Sequence, residues 1–115
     1  MALEKRTRVE IFLPIRTDTT ASKSITDWLT EELALVRGGS TLTTPFTGLY
    51  SSQISRGSVA RDKIQILFCD FDLDASDPIH KAKLLKYLNE IRVLLMDILR
   101  EEDVWIVYHS VTRVL

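Results

Sequence analysis

Cysteine is all but missing from this chain. Of its 115 residues one is Cys, three are Pro and four are Gly, and neither sign of charge dominates, with 15 Lys and Arg against 16 Asp and Glu. Each shortage excludes something. A lone thiol, Cys69, closes no intramolecular disulfide and builds no cysteine-rich zinc site, and it predicts a reducing, cytoplasmic setting. A formal net charge of −1 offers no basic excess of the kind that draws a chain to nucleic acid or to an anionic membrane, so neither partner is expected. No apolar run reaches the roughly 18 residues of a membrane-crossing helix. The charges at Glu4, Lys5 and Arg6 are followed by no apolar stretch of signal-peptide length.

What is present reads as globular. A hydrophobic content of 45% with 27% charged residues argues against disorder. One domain over residues 1–115 is expected, burying roughly two-thirds of the surface its unfolded chain exposes. There is no internal repeat, low-complexity tract or linker.

Val9, Ile11, Leu13 and Ile15 alternate with Arg8, Glu10, Phe12 and Pro14, the period of a first strand that ends near Pro14. A polar run, residues 17–24, leads into a first helix whose N-cap is Thr20, Ser22 or Ser24. Its apolar stripe is Ile25, Trp28, Leu29, Leu33 and Val36. Arg37-Gly38-Gly39-Ser40-Thr41 closes that helix, because Gly just past a helix end adopts the left-handed conformation without a Cβ penalty. Gly38 and Gly39 are therefore read as a structural turn. The second strand, Thr41 to Tyr50, contains Pro45 and is predicted to be a sheet edge. The third, Lys63 to Phe71, is apolar on both faces, with Ile64, Ile66 and Phe68 on one and Leu67, Cys69 and Phe71 on the other; such a strand is central. Asp77 and Pro78 announce a second helix, with Leu84, Leu88, Ile91, Leu95 and Ile98 forming a broad apolar stripe together with Tyr87, Leu94 and Leu99. A fourth strand runs from Val104 to about Val111.

This β-α-β-β-α-β order, with the Gly38-Gly39-Ser40-Thr41 exit and Gly48 downstream, resembles the ferredoxin-like α+β sandwich. The resemblance covers residues 8 to about 113 and implies a four-stranded antiparallel sheet, order 4-1-3-2, with two helices on one face. It also implies that Arg6, Arg8, Thr41, Asp70, Asp72, His109 and Arg113 gather at one end of the sheet. The fold hosts many activities, so it assigns none.

Several groups bear chemistry. Asp70, Asp72 and Asp74 stand two apart and suggest a hard-cation site. The calcium-loop pattern fails at Ala75, where Gly is required, and at Lys81, where Glu is required; the carboxylates are read instead as paired with Arg6 or Arg8 and capping the second helix. No metal and no cofactor is expected. His109 and Asp70 are the only weak catalytic candidates, since no nucleophile motif accompanies them. His80 is read as solvated, and Cys69 as a small buried apolar residue. Arg16, Arg56 and Arg61, with the Ser/Thr-rich helix start, form a candidate anion-binding set, because guanidinium groups bind phosphate bidentately.

The expected function is a non-enzymatic binding or regulatory domain that assembles as a homodimer or higher homo-oligomer through the open face of its sheet, with a small-molecule ligand as a further partner. Phe12, Phe71 and Trp105 are placed on that face, and Leu67 is the residue whose replacement by Glu is expected to break the assembly. The alternative is a small enzyme resembling the dimeric α+β barrels, with His109 and Asp70 in a pocket between sheet and helices.

Overall fold

Strand β1 (Leu3–Pro14) alternates as its composition demands: Thr7, Val9, Ile11 and Leu13 are buried, and the residues between them are half-buried. The computed structural model describes residues 1–15, 20–51 and 59–115, with side chains at all of these except 48–51 and 59–62. Within them the chain is an α+β fold of two helices and a five-stranded antiparallel sheet. β1 pairs with β5 (Ile106–Val114) on one side and with β4 (Val59–Phe71) on the other. The far edge of β4 carries both β2 (Thr41–Leu42) and β3 (Phe46–Ser51).

The strand expected from Thr41 to Tyr50 is thus two strands, which corrects the four-strand count. Pro45 explains the break, since it has no N–H to donate to a ladder. Side chains repair the gap: Ile66 N–H donates to Thr43 Oγ1 at 2.9 Å, Thr43 N–H to the Ile66 carbonyl at 3.0 Å, and Gln65 Nε2 to the Thr43 carbonyl at 3.0 Å. Both short strands pair with β4 alone, so Pro45 lies at a sheet edge as expected. The last strand begins and ends later than predicted, Ile106–Val114 in place of Val104–Val111.

Helix α2 (Pro78–Leu99) starts where its sequence says, with Asp77 accepting hydrogen bonds from the backbone N–H of Ile79 and His80. It buries Leu84, Leu88, Ile91, Leu95 and Leu99, all within the expected stripe, while Tyr87 and Ile98 are half-buried and Leu94 is exposed. Helix α1 (Thr20–Arg37) includes Thr20, Ser22 and Ser24 within its span and buries Ser22, Ile25, Thr26, Leu29 and Leu33. Trp28 and Val36, expected in this stripe, are 48% and 53% exposed. The buried row instead joins two small hydroxyl residues, Ser22 and Thr26, to Ile25, Leu29 and Leu33.

Both helices pack with Val9, Ile11, Leu13, Leu67, Cys69 and Phe71 in one core cluster. Leu67, Cys69 and Phe71 therefore face the helices, not a partner. Leu67 and Phe71 are fully buried. This corrects the placement of Phe71 on the open face and of Leu67 at an oligomer interface. The register shows why: Leu67 stands opposite Ile11, and Cys69 opposite Val9. The open face carries Phe12, Ile64, Ile66, Phe68 and, on β5, Trp105 at its start and Val107.

Gly38 ends α1 at a φ of +88°, donating its N–H to the Ala34 carbonyl at 3.0 Å. A Cβ there meets nothing within 4 Å, so its cost is backbone strain alone. Gly38→Ala is expected to lower stability by about 1 kcal/mol, measured by urea denaturation, and Gly39→Ala, at ordinary φ, by less.

Candidate functional site: an arginine-lined cleft

Where α1 gives way to β2, the chain passes beside the end of β4 and leaves a cleft of about 670 Å³ between the two. The turn Gly38-Gly39-Ser40-Thr41 forms one lip. It is held in place from two sides: Ser40 Oγ donates to the Thr30 carbonyl at 2.7 Å, and Cys69 Sγ to the Gly39 carbonyl at 3.4 Å. Burial pushes the Cys69 thiol up to about 11, so it is an uncharged donor at neutral pH and no nucleophile. β4 supplies Phe68 and Asp70 to the opposite wall.

Four arginines line the cleft, Arg6 and Arg8 from β1, Arg37 from the last turn of α1 and Arg113 from β5, against the single carboxylate of Asp70. Arg8 and Asp70 are cross-strand partners, and their side chains meet in a bidentate pair at 2.8 and 3.0 Å. Hydrogen bonding to this guanidinium holds the Asp70 carboxyl below its ordinary range, so it remains a carboxylate throughout the neutral range. Arg6 Nη1 donates to Glu4 Oε1 at 3.1 Å, and Arg113 lies 4.0 Å from the other oxygen of Glu4. Arg37 is held by rings: its guanidinium lies 4.4 Å from the centre of Phe71 and 5.0 Å from that of Tyr87.

Two donors in this arrangement are unused. Nε of Arg6 and Nε of Arg37 are buried and meet no hydrogen-bond acceptor among the described residues. A buried charged donor without an acceptor costs on the order of 1–3 kcal/mol, and here two such donors belong to residues lining one cleft. The C-terminal end of α1 presents carbonyls to the same region and contributes the equivalent of about −0.5 charge. The attraction for an anion comes from the guanidinium groups, not from the helix.

Of the residues expected to gather at this end of the sheet, Arg6, Arg8, Thr41, Asp70 and Arg113 line the cleft. His109, opposite Arg8 on β5, is exposed on the open face. His109 and Asp70 thus lie away from the layer between sheet and helices, and Asp70 is committed to Arg8. The other acidic candidates are used locally. Asp74 accepts from Ser76 N–H and Oγ at 3.0 and 2.6 Å, and Asp72 is exposed. Among the described residues no three His, Cys, Asp or Glu side chains converge as metal ligands. His80 is not simply solvated, since its Nδ1 accepts the Asp74 N–H at 3.1 Å and closes the loop before α2. The anion-binding set Arg16, Arg56 and Arg61 lies outside the described residues and side chains.

Arg37 and Phe68 are the site residues that sequence reasoning missed. A basic residue in the last helical turn, followed at once by the Gly-Gly exit, was the available signal for Arg37: whatever the turn approaches, Arg37 approaches too. Among the described residues no helix is long and apolar enough to cross a membrane. No family model, curated protein or solved structure matches the chain.

Proposed function

We propose that the chain is a non-enzymatic binding or regulatory domain that takes a small anionic ligand in the arginine cleft. One observation carries this reading, the gathering of Arg6, Arg8, Arg37 and Arg113 around one cleft in which, among the described lining residues, Asp70 alone brings a carboxylate. Charge-assisted hydrogen bonds from guanidinium to a ligand oxyanion are among the strongest available to a protein. Ser40 Oγ is engaged with the Thr30 carbonyl and burial pushes the Cys69 thiol up to about 11, which supports binding over catalysis.

The interrupted edge, with β2 and β3 counted as one broken strand, supports reading the fold as a ferredoxin-like sandwich. The domain works as a homodimer through the apolar half of its open face. Phe46, Trp105 and Val107 are exposed there beside half-buried Phe12, Ile64 and Ile66, a grouping that soluble monomers usually avoid. The single buried, unpaired thiol is in keeping with a cytoplasmic protein.

Calorimetric titration of inorganic phosphate at low ionic strength tests the site. The wild type is expected to bind with a dissociation constant in the millimolar range or below, and Arg37→Gln to weaken binding by roughly tenfold or more, the scale of a lost charged hydrogen bond. Equal affinity of wild type and variant would remove Arg37 from the site.

A further inference from the structure

We infer that the ligand of the cleft is a phosphate monoester whose organic part is apolar, an inference that rests on the anion-binding reading above. The first argument is charge. Arg6, Arg8 and Arg113 share two carboxylates, those of Glu4 and Asp70. Arg37 has aromatic rings around it and, among the described residues, no carboxylate paired with it. Among the described residues these four guanidinium groups are therefore set against two carboxylates. A phosphate monoester brings about −1.5 to −2 at neutral pH and three acceptor oxygens, whereas a carboxylate brings a single charge. Arginine's planar fork matches phosphate bidentately, and the two vacant Nε donors come from different elements, β1 and α1. A ligand with acceptors on several sides meets guanidinium groups from both elements.

The second argument is Phe68. It lines the cleft together with the arginines and is only half-buried. Its partners across the sheet are Glu10 on β1 and Thr41 on β2, neither of which supplies a ring to cover it. Both helices pack on the opposite face. At about 670 Å³ the cleft is of a size that takes whole small molecules rather than a bare ion. An organic group esterified to a phosphate seated among the guanidinium groups meets Phe68 first and loses water against it.

Calorimetric titration of the whole chain with inorganic phosphate, phenyl phosphate and benzoate separates these arguments. Phenyl phosphate is expected to bind about tenfold tighter than either of the others, the effect of covering part of one ring with another. Phe68→Ala should erase the advantage of phenyl phosphate over inorganic phosphate, while Phe68→Leu, which keeps an apolar wall, should retain part of it. Circular dichroism establishes that each variant is folded. Phenyl phosphate binding no tighter than inorganic phosphate, or an advantage that survives in Phe68→Ala, would overturn the apolar part of the inference. Benzoate binding as tightly as phenyl phosphate would overturn the match to a dianion. Failure of all three to bind would overturn the anion-binding reading itself.

Discussion

Replacing Leu67 by glutamate is expected to unfold the domain outright. The side chain is fully buried, stands opposite Ile11 on β1 and Leu42 on β2, and belongs to the core cluster on the helix-covered face. No basic group belongs to the core cluster around it. An unpaired carboxylate there costs on the order of 5 kcal/mol, against a total stability of about 5–15 kcal/mol for a domain of ordinary size. The neighbouring substitution Ile66→Glu is expected to do something different. Successive residues of a strand face opposite sides of the sheet, so the new charge emerges on the open face opposite Phe12. That variant should keep its helical circular dichroism and lose self-association in light scattering. A folded Leu67→Glu protein with the wild-type melting temperature would contradict the assignment of the helix-covered face. A wild type that is monomeric at high micromolar concentration would contradict the dimer and leave the core assignment standing.

Phe71→Ala is expected to be the most damaging substitution that adds no charge, at about 3–5 kcal/mol for a fully buried aromatic ring. Its second effect links core to site. Phe71 packs against Tyr87 with ring centres 5.7 Å apart, and the two rings together form the surface on which the Arg37 guanidinium rests. Without Phe71 that guanidinium loses its closest support, so a variant still folded at low temperature should also bind phosphate more weakly. Phe71→Leu separates the two effects. It refills most of the space and costs less stability, yet it has no ring face for the cation, so phosphate affinity falls while the fold persists. Urea denaturation alongside phosphate titration measures both, and unchanged affinity in Phe71→Leu would show that Arg37 needs no ring beneath it.

The order of elements was legible because its signals are local. Asp77 and Pro78 begin α2 whatever surrounds them, and Gly38 ends α1 through its own φ of +88°. Which face of β4 the helices cover was not legible in β4 itself, since Ile64, Ile66 and Phe68 are as apolar as Leu67, Cys69 and Phe71. β1 decides it. Its Val9, Ile11 and Leu13 set is purely apolar and its Arg8 and Glu10 set is charged, and the pairing of Ile11 with Leu67 carries that choice across to β4. Pattern alone shows alternation; only register joins the pattern of one strand to that of the next. The cleft was half legible for a similar reason. Topology brought Arg6, Arg8 and Arg113 to one end of the sheet, whereas the place of Arg37 depends on its packing over Phe71 and Tyr87, residues 34 and 50 positions further along the chain.

The central claim is that this cleft, with its lip at Gly38–Thr41, is where the protein meets an anion. Backbone amide NMR during titration with inorganic phosphate tests it most directly, because glycine amides are readily recognised and Gly38 and Gly39 both line the cleft. Saturable shifts concentrated at Gly38, Gly39, Ser40, Thr41, Arg6 and the Phe68–Asp70 segment, and displaced to roughly tenfold higher phosphate concentration or beyond in Arg37→Gln, are the predicted result. Shifts that stay linear with phosphate concentration, or that gather elsewhere on the chain, would contradict it.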